Sequence, residues 1–139
     1  MINVLLPVDG SDGSARAVRM VIALCRRLAP VGIHLLYVEV ADGTLKDALG
    51  APASAPAGGL ESPEDALAPL EAMLDQAGIA CTSAVRKGYV PATIIEYAKA
   101  TNCDAIVMAT RGMGSTPELL GSIARQVVSL ADIPVTLVK

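Results

Sequence analysis

Ala105 to Ser122, AIVMATRGMGSTPELLGS, is the stretch whose reading decides the fold. Ala105 to Ala109 is apolar throughout, as expected of a strand covered on both faces. Arg111 to Glu118 is rich in turn formers, and Gly121-Ser122 opens the next periodic apolar segment. Strand, glycine loop and helix start make the local architecture of an anion site, because amides at a helix N-terminus lack intrahelical partners and carry partial positive charge.

Upstream, Asn3 to Val8 reads as a first strand that stops at the turn and cap formers Asp9 to Gly13. A helix follows, with Val18, Val21, Ile22, Cys25 and Leu28 on one stripe, and Pro30 and Gly32 end it. Ile33 to Val40 is a second, near-continuously apolar strand. Residues 41 to 59, rich in Ala, Pro and Gly, carry no sustained period and read as an insertion or lid reaching to about position 61. Ser62-Pro63-Glu64-Asp65 resembles an N-cap with proline at the first helical position, and Leu67, Leu70 and Leu74 form the stripe up to Gly78. Pro69 is expected to kink that helix or delay its start.

Ile79 to Val85 alternates like a strand near a sheet edge, and a helix is expected from Pro91 to Asn102. After the glycine loop, Leu120, Ile123, Ala124, Val127, Val128 and Ala131 mark a last helix face, and Pro134 to Val138 a fifth strand. Strict alternation of strand and helix implies a parallel sheet with helices on both faces, joined by right-handed crossovers. Ligands of such sheets bind beyond the carboxyl ends of the strands, where the strand order reverses. A strand order of 3-2-1-4-5 places Asp9 beside the loop that follows Ala109.

A chain of 139 residues suits a single domain, 1–139, with a real core. Its hydrophobic fraction is 53%, yet no apolar run approaches the roughly 18 residues of a membrane span. The start, MINVLLPVDGS, has no basic leader region, so a cytoplasmic protein is expected, with no membrane partner. A formal charge of -3 and three tyrosines, without Phe or Trp, argue against nucleic acid. Cys25, Cys81 and Cys103 form no C-x-x-C pair and read as packed thiols, and His34 as a structural residue. Gly-Lys-Ser and Gly-Lys-Thr are absent, which excludes a Walker A loop. Pro117 stands where G-x-G-x-x-G needs its last glycine, and no G-x-S-x-G elbow occurs.

The segments NVLLPVDGS, LLYV, CDAIVMATRG and LLGSIARQVVSLADIPVTLVK together resemble the universal stress protein family over the whole chain. The resemblance implies a five-stranded α/β sandwich of Rossmann-like, flavodoxin-like type. It also implies a homodimer paired through Pro134 to Val138, and a bound adenine nucleotide, ATP or else ADP or AMP. In the nucleotide-binding branch of the family the pattern is glycine, two residues, glycine, nine residues, then glycine with Ser or Thr. Here Ala109 holds the place of the first glycine, and eight residues, positions 113 to 120, separate Gly112 from Gly121.

By that resemblance Pro7, Val8 and Asp9 lie against the adenosine, Val38 meets adenine through its backbone, and Met108 flanks base or ribose. Gly112, Gly121, Ser122 and Ile123 face the phosphates, with Ala109 and Gly114 in the same loop; by their own chemistry Arg111 is either a neutraliser of phosphate charge or a solvated surface arginine, and Asp9 can also hold Mg²⁺. If Ala109 must adopt left-handed angles, the cost is about 1–2 kcal/mol. The implied role is regulatory or sensing. The alternatives are a dimeric interaction module that binds no nucleotide and, further off, a slow ATPase.

Overall fold

The structure, a computed structural model, describes residues 1–27, 30–40, 62–111 and 120–139. Its elements in chain order are β1 (Ile2–Val8), α1 (Asp12–Cys25), β2 (Val31–Glu39), α2 (Pro63–Gln76), β3 (Cys81–Lys87), α3 (Val90–Ala100), β4 (Ala105–Ala109), α4 (Ser122–Leu130) and β5 (Val135–Val138). All strand pairs are parallel, in the order β3-β2-β1-β4-β5. The expected 3-2-1-4-5 sheet is therefore the observed one. The expected insertion at 41–61, Leu28, Gly112 and Gly114 lie outside the described residues.

Side chains alternate across each strand, so the apolar runs feed two cores at once. Val4, Leu6 and Val8 of β1 join Ile33 and Leu35 beneath α1 and α2, whose Val18, Val21, Leu67, Leu70 and Leu74 are buried. Leu5 and Leu36 point the other way and meet Ile106 and Met108 beneath α3 and α4, packed on Ile94, Ala98, Ala124 and Val127. Burial on both sides is what makes β1 continuously apolar from Val4 to Val8. β3, at the sheet edge, has five of its seven residues exposed, which explains Thr82 and Ser83 in its sequence.

Local boundaries depart from the sequence reading where neighbouring strands or caps intervene. β2 begins at Val31, because Gly32 is a strand residue opposite Asn3 and not a helix stop; a β-carbon there would lie 2.6 Å from Asn3 Oδ1. α1 already includes Asp12 and Gly13, since the Ser11 side chain caps it by accepting from the Ser14 amide. β3 runs two residues later than Ile79 to Val85, because Gly78 and Ile79 still close α2. Pro69 does not delay α2. It sits inside the helix on an exposed face, where the Asp65 carbonyl that loses its amide partner can meet water.

Two helices end in the same way. Gly78, at φ +72°, and Ile79 donate back to the carbonyls of Asp75 and Leu74. Asn102, at φ 52°, and Cys103 donate to those of Lys99 and Ala98, so α3 stops at Ala100 and not at Asn102. Both are Schellman closures, which turn the chain sharply into the following strand. His34 lies away from the ligand end: its Nδ1 is 3.1 Å from Thr82 Oγ1, and its ring meets Tyr97 edge-on. Cys25, Cys81 and Cys103 are free thiols, and burial raises the pKa of each.

Candidate functional site

From β1 the chain leaves through α1 toward β2, whereas β4 lies on the other side of β1. The strand order thus reverses between β1 and β4, and a cleft opens at their carboxyl ends. It encloses about 330 Å³. One part is apolar, with Leu36, Val38, Val90, Ile94 and Met108 around it. Asp9, Thr110, Arg111 and Ser122 also line it, so the cleft offers an apolar slot together with polar groups.

Asp9 is held by the first turn of α1. Its Oδ1 accepts from the Ser11 amide at 2.9 Å and from the Ser14 hydroxyl at 3.0 Å, while its own amide donates to Ser14 Oγ at 3.0 Å. Ser14 is 3% exposed, the one buried polar side chain among the described residues. Carboxylate, backbone and hydroxyl therefore fix each other in one orientation. The carboxylate leans on the N-terminal turn of a helix, where negative charge is favoured.

The opposite wall is the exit of β4 and the start of α4. Thr110 donates its amide to the Val138 carbonyl at 2.9 Å, and its carbonyl accepts from the Gly121 amide at 2.7 Å. Gly121 is the N-cap of α4, and having no side chain it cannot cap the first-turn amides; no acid stands in that turn either. The helix end that faces the cleft is thus electropositive and suited to phosphate oxygens. Ala109 is not in the left-handed region: among described non-glycine residues only Asn102 has a positive φ. The anticipated strain at Ala109 is absent, because the residue remains part of β4.

Of the residues expected at the site, Pro7, Val8, Asp9, Val38, Met108, Ala109, Arg111, Gly121, Ser122 and Ile123 all border this cleft. Ser14, Ile94 and Thr110 also border it and were not read from the sequence. The Ser11 cap places Ser14 one helical turn along, facing back to Asp9, which is a signal that cap analysis carries. No comparable signal marks Ile94, whose place depends on how α3 crosses the sheet.

The universal stress protein family model matches residues 1–139. The chain belongs to the universal stress protein family. A universal stress protein of Synechocystis is 33% identical over 140 residues, covering 98% of this chain and 84% of the relative. In fold the chain is similar to the universal stress protein from Archaeoglobus fulgidus solved in complex with dAMP, with a TM-score of 0.71, 20% identity, and coverage of 100% and 98% of the two chains. A universal stress protein solved in complex with cAMP gives a TM-score of 0.74 at 19% identity, with coverage of 99% and 97%. Universal stress proteins of this fold therefore include binders of adenine nucleotides. No helix among the described residues is long and apolar enough to cross a membrane.

Proposed function

We propose that this chain is a single-domain cytoplasmic universal stress protein that binds ATP, or a shorter adenine nucleotide, in the cleft between β1 and β4, and acts as a homodimer in regulation or sensing. The observation that carries the reading is the joining of an apolar slot to the uncapped N-terminus of α4 in one cleft. Adenine fits the slot beside Val38, Ile94 and Met108. Asp9 is placed to accept from a ribose hydroxyl, and Gly121, Ser122, Ile123 and Arg111 face the phosphates. Related folds that hold dAMP and cAMP support the adenine assignment.

Mg²⁺ fits only as a companion of the nucleotide. Among the described residues no three His, Cys, Asp or Glu side chains gather as a metal site. Phosphate oxygens and water would hold the ion, with Asp9 as its protein carboxylate, in keeping with the ion's reluctance to shed water. It would supply neutralisation of phosphate charge. Binding, without turnover, is the activity this arrangement supports, since Asp9 is the one carboxylate among the described residues lining the cleft and is engaged by Ser11 and Ser14.

Dimerisation is assigned to β5, an outer strand with a single partner in the sheet. Calorimetric titration of the purified protein with ATP and Mg²⁺ tests the nucleotide reading. Gly121→Val is the control, because Gly121 has φ -59°, which any residue adopts, while a branched side chain would cover the α4 amides. Binding in the parent and at least about tenfold loss in the variant is the expected result. Absence of binding up to millimolar ATP would favour the interaction module, and an unaffected variant would move the phosphates elsewhere.

A further inference from the structure

The two walls of the cleft meet behind it, at Gly13. A β-carbon at this position would lie 2.7 Å from Ala109 Cβ and 2.8 Å from the Arg111 carbonyl oxygen. Both are far inside ordinary contact, which for two carbons begins near about 3.5 Å. The Ala109 methyl is thus turned toward the first turn of α1, into space that Gly13 leaves open. On its other side this segment is pinned, because Thr110 bonds Val138 through its amide and Gly121 through its carbonyl. Residues 109 and 111 rest on α1, and residue 110 ties them to the N-cap of α4.

We propose that Gly13 is a positioning residue of the cleft: its missing side chain seats Ala109 and the Arg111 carbonyl on α1, and that seat sets where Thr110 and Gly121 stand. The inference rests on the nucleotide reading of the same cleft. A side chain at 13 has two ways to find room. Either α1 moves, taking Ser14 and with it the anchor of Asp9, or the exit of β4 moves, taking Thr110 and the Gly121 amide. Each alters the distance between the Asp9 side and the phosphate side. Ala109 and Gly13 therefore work as a pair, with the methyl on the strand matched by its absence on the helix.

Gly→Ala within a helix is ordinarily favourable, so a penalty at this position is diagnostic. The test uses the full chain with Gly13→Ala, Ala109→Gly and the double variant. ATP affinity is measured by calorimetry, and the amide cross-peaks of Thr110 and Gly121 are followed by nitrogen-proton NMR. Gly13→Ala should shift both cross-peaks and weaken binding by about tenfold, the effect of misplacing one hydrogen bond to a charged group. Ala109→Gly removes the methyl that Gly13 seats while keeping the Arg111 contact, and it serves as the background against which the double variant is read. The double variant should bind more tightly than Gly13→Ala, yet short of the parent, because the Arg111 contact persists.

Unchanged cross-peaks and affinity in Gly13→Ala would overturn the inference, as would a double variant no better than Gly13→Ala. Should the parent bind no nucleotide, the functional reading falls separately. Cross-peak shifts in Gly13→Ala that Ala109→Gly reverses would even then establish the seat.

Discussion

Replacing Ser14 with alanine removes the hydroxyl that both donates to the Asp9 carboxylate and accepts from the Asp9 amide, each at 3.0 Å. A hydrogen bond to a charged group contributes about 1.5–3 kcal/mol and a neutral one about 1 kcal/mol, which bounds the loss from above. Two facts lower it. The carboxylate keeps the Ser11 amide at 2.9 Å, and Asp9 is exposed, so water can occupy part of the vacated shell. The net destabilisation should be about 1–2 kcal/mol, or roughly 3–8 °C in Tm for a domain of this size. With no tryptophan in the chain, urea unfolding is best followed by far-ultraviolet circular dichroism. Nucleotide affinity should fall by about threefold to tenfold, since a loosened Asp9 must be reordered on binding. A midpoint and an affinity both equal to the parent's would show that Ser14 does not hold Asp9, and the account of that wall would fail.

Gly78→Ala should cost about 1–2 kcal/mol in urea unfolding, all of it backbone strain, because φ is +72° and no atom lies within 4 Å of the added carbon. Leu74→Ala, at a fully buried position, should lose about 2–5 kcal/mol by the same assay. The Pro134 and Val138 carbonyls accept from the Ile106 and Thr110 amides, so the intervening odd-numbered residues of β5 direct their backbone groups outward. Val135→Pro deletes one outward donor and should shift sedimentation toward monomer; an unaltered dimer would remove β5 from the interface. Cys103, 6% exposed, should react with a disulfide reagent more slowly than Cys25 or Cys81. Because the folded thiol pKa values are raised, the unfolded chain loses these protons first. The stability they contribute is complete below the ordinary thiol value of about 8.5 and declines as pH rises through the raised values, which denaturation between neutral and alkaline pH will reveal.

The sheet was legible because its strands carry their own labels. Leu5 and Leu6 face opposite cores, so the run NVLLPV had to be apolar at consecutive positions, and Asp9-Gly10 punctuated it. Strand order followed less directly, from the glycine loop after β4 and from the resemblance across the whole chain. Pro7, Val38 and Met108 are named by the family resemblance, and Asp9 also because it follows the first strand; all four border the cleft. Ser14 was hidden by its small, polar surroundings, although the Ser11 cap points to it. Gly13 could not be read at all. In sequence it is one of several turn-forming residues after β1, and its meaning arises only where Ala109, from the far half of the chain, arrives beside it.

The first turn of α1 touches both walls, Ser14 through Asp9 and Gly13 through Ala109. Helix ends are the first parts of a fold to open, and each opening has its own free energy below that of global unfolding. Here a single fraying event would release the acid and withdraw support from Ala109 and Arg111 together. A ligand that requires both walls must then suppress that event, so amide exchange at Ser14 and at Thr110 should slow in concert when nucleotide is added, as if two strands far apart in sequence shared one latch.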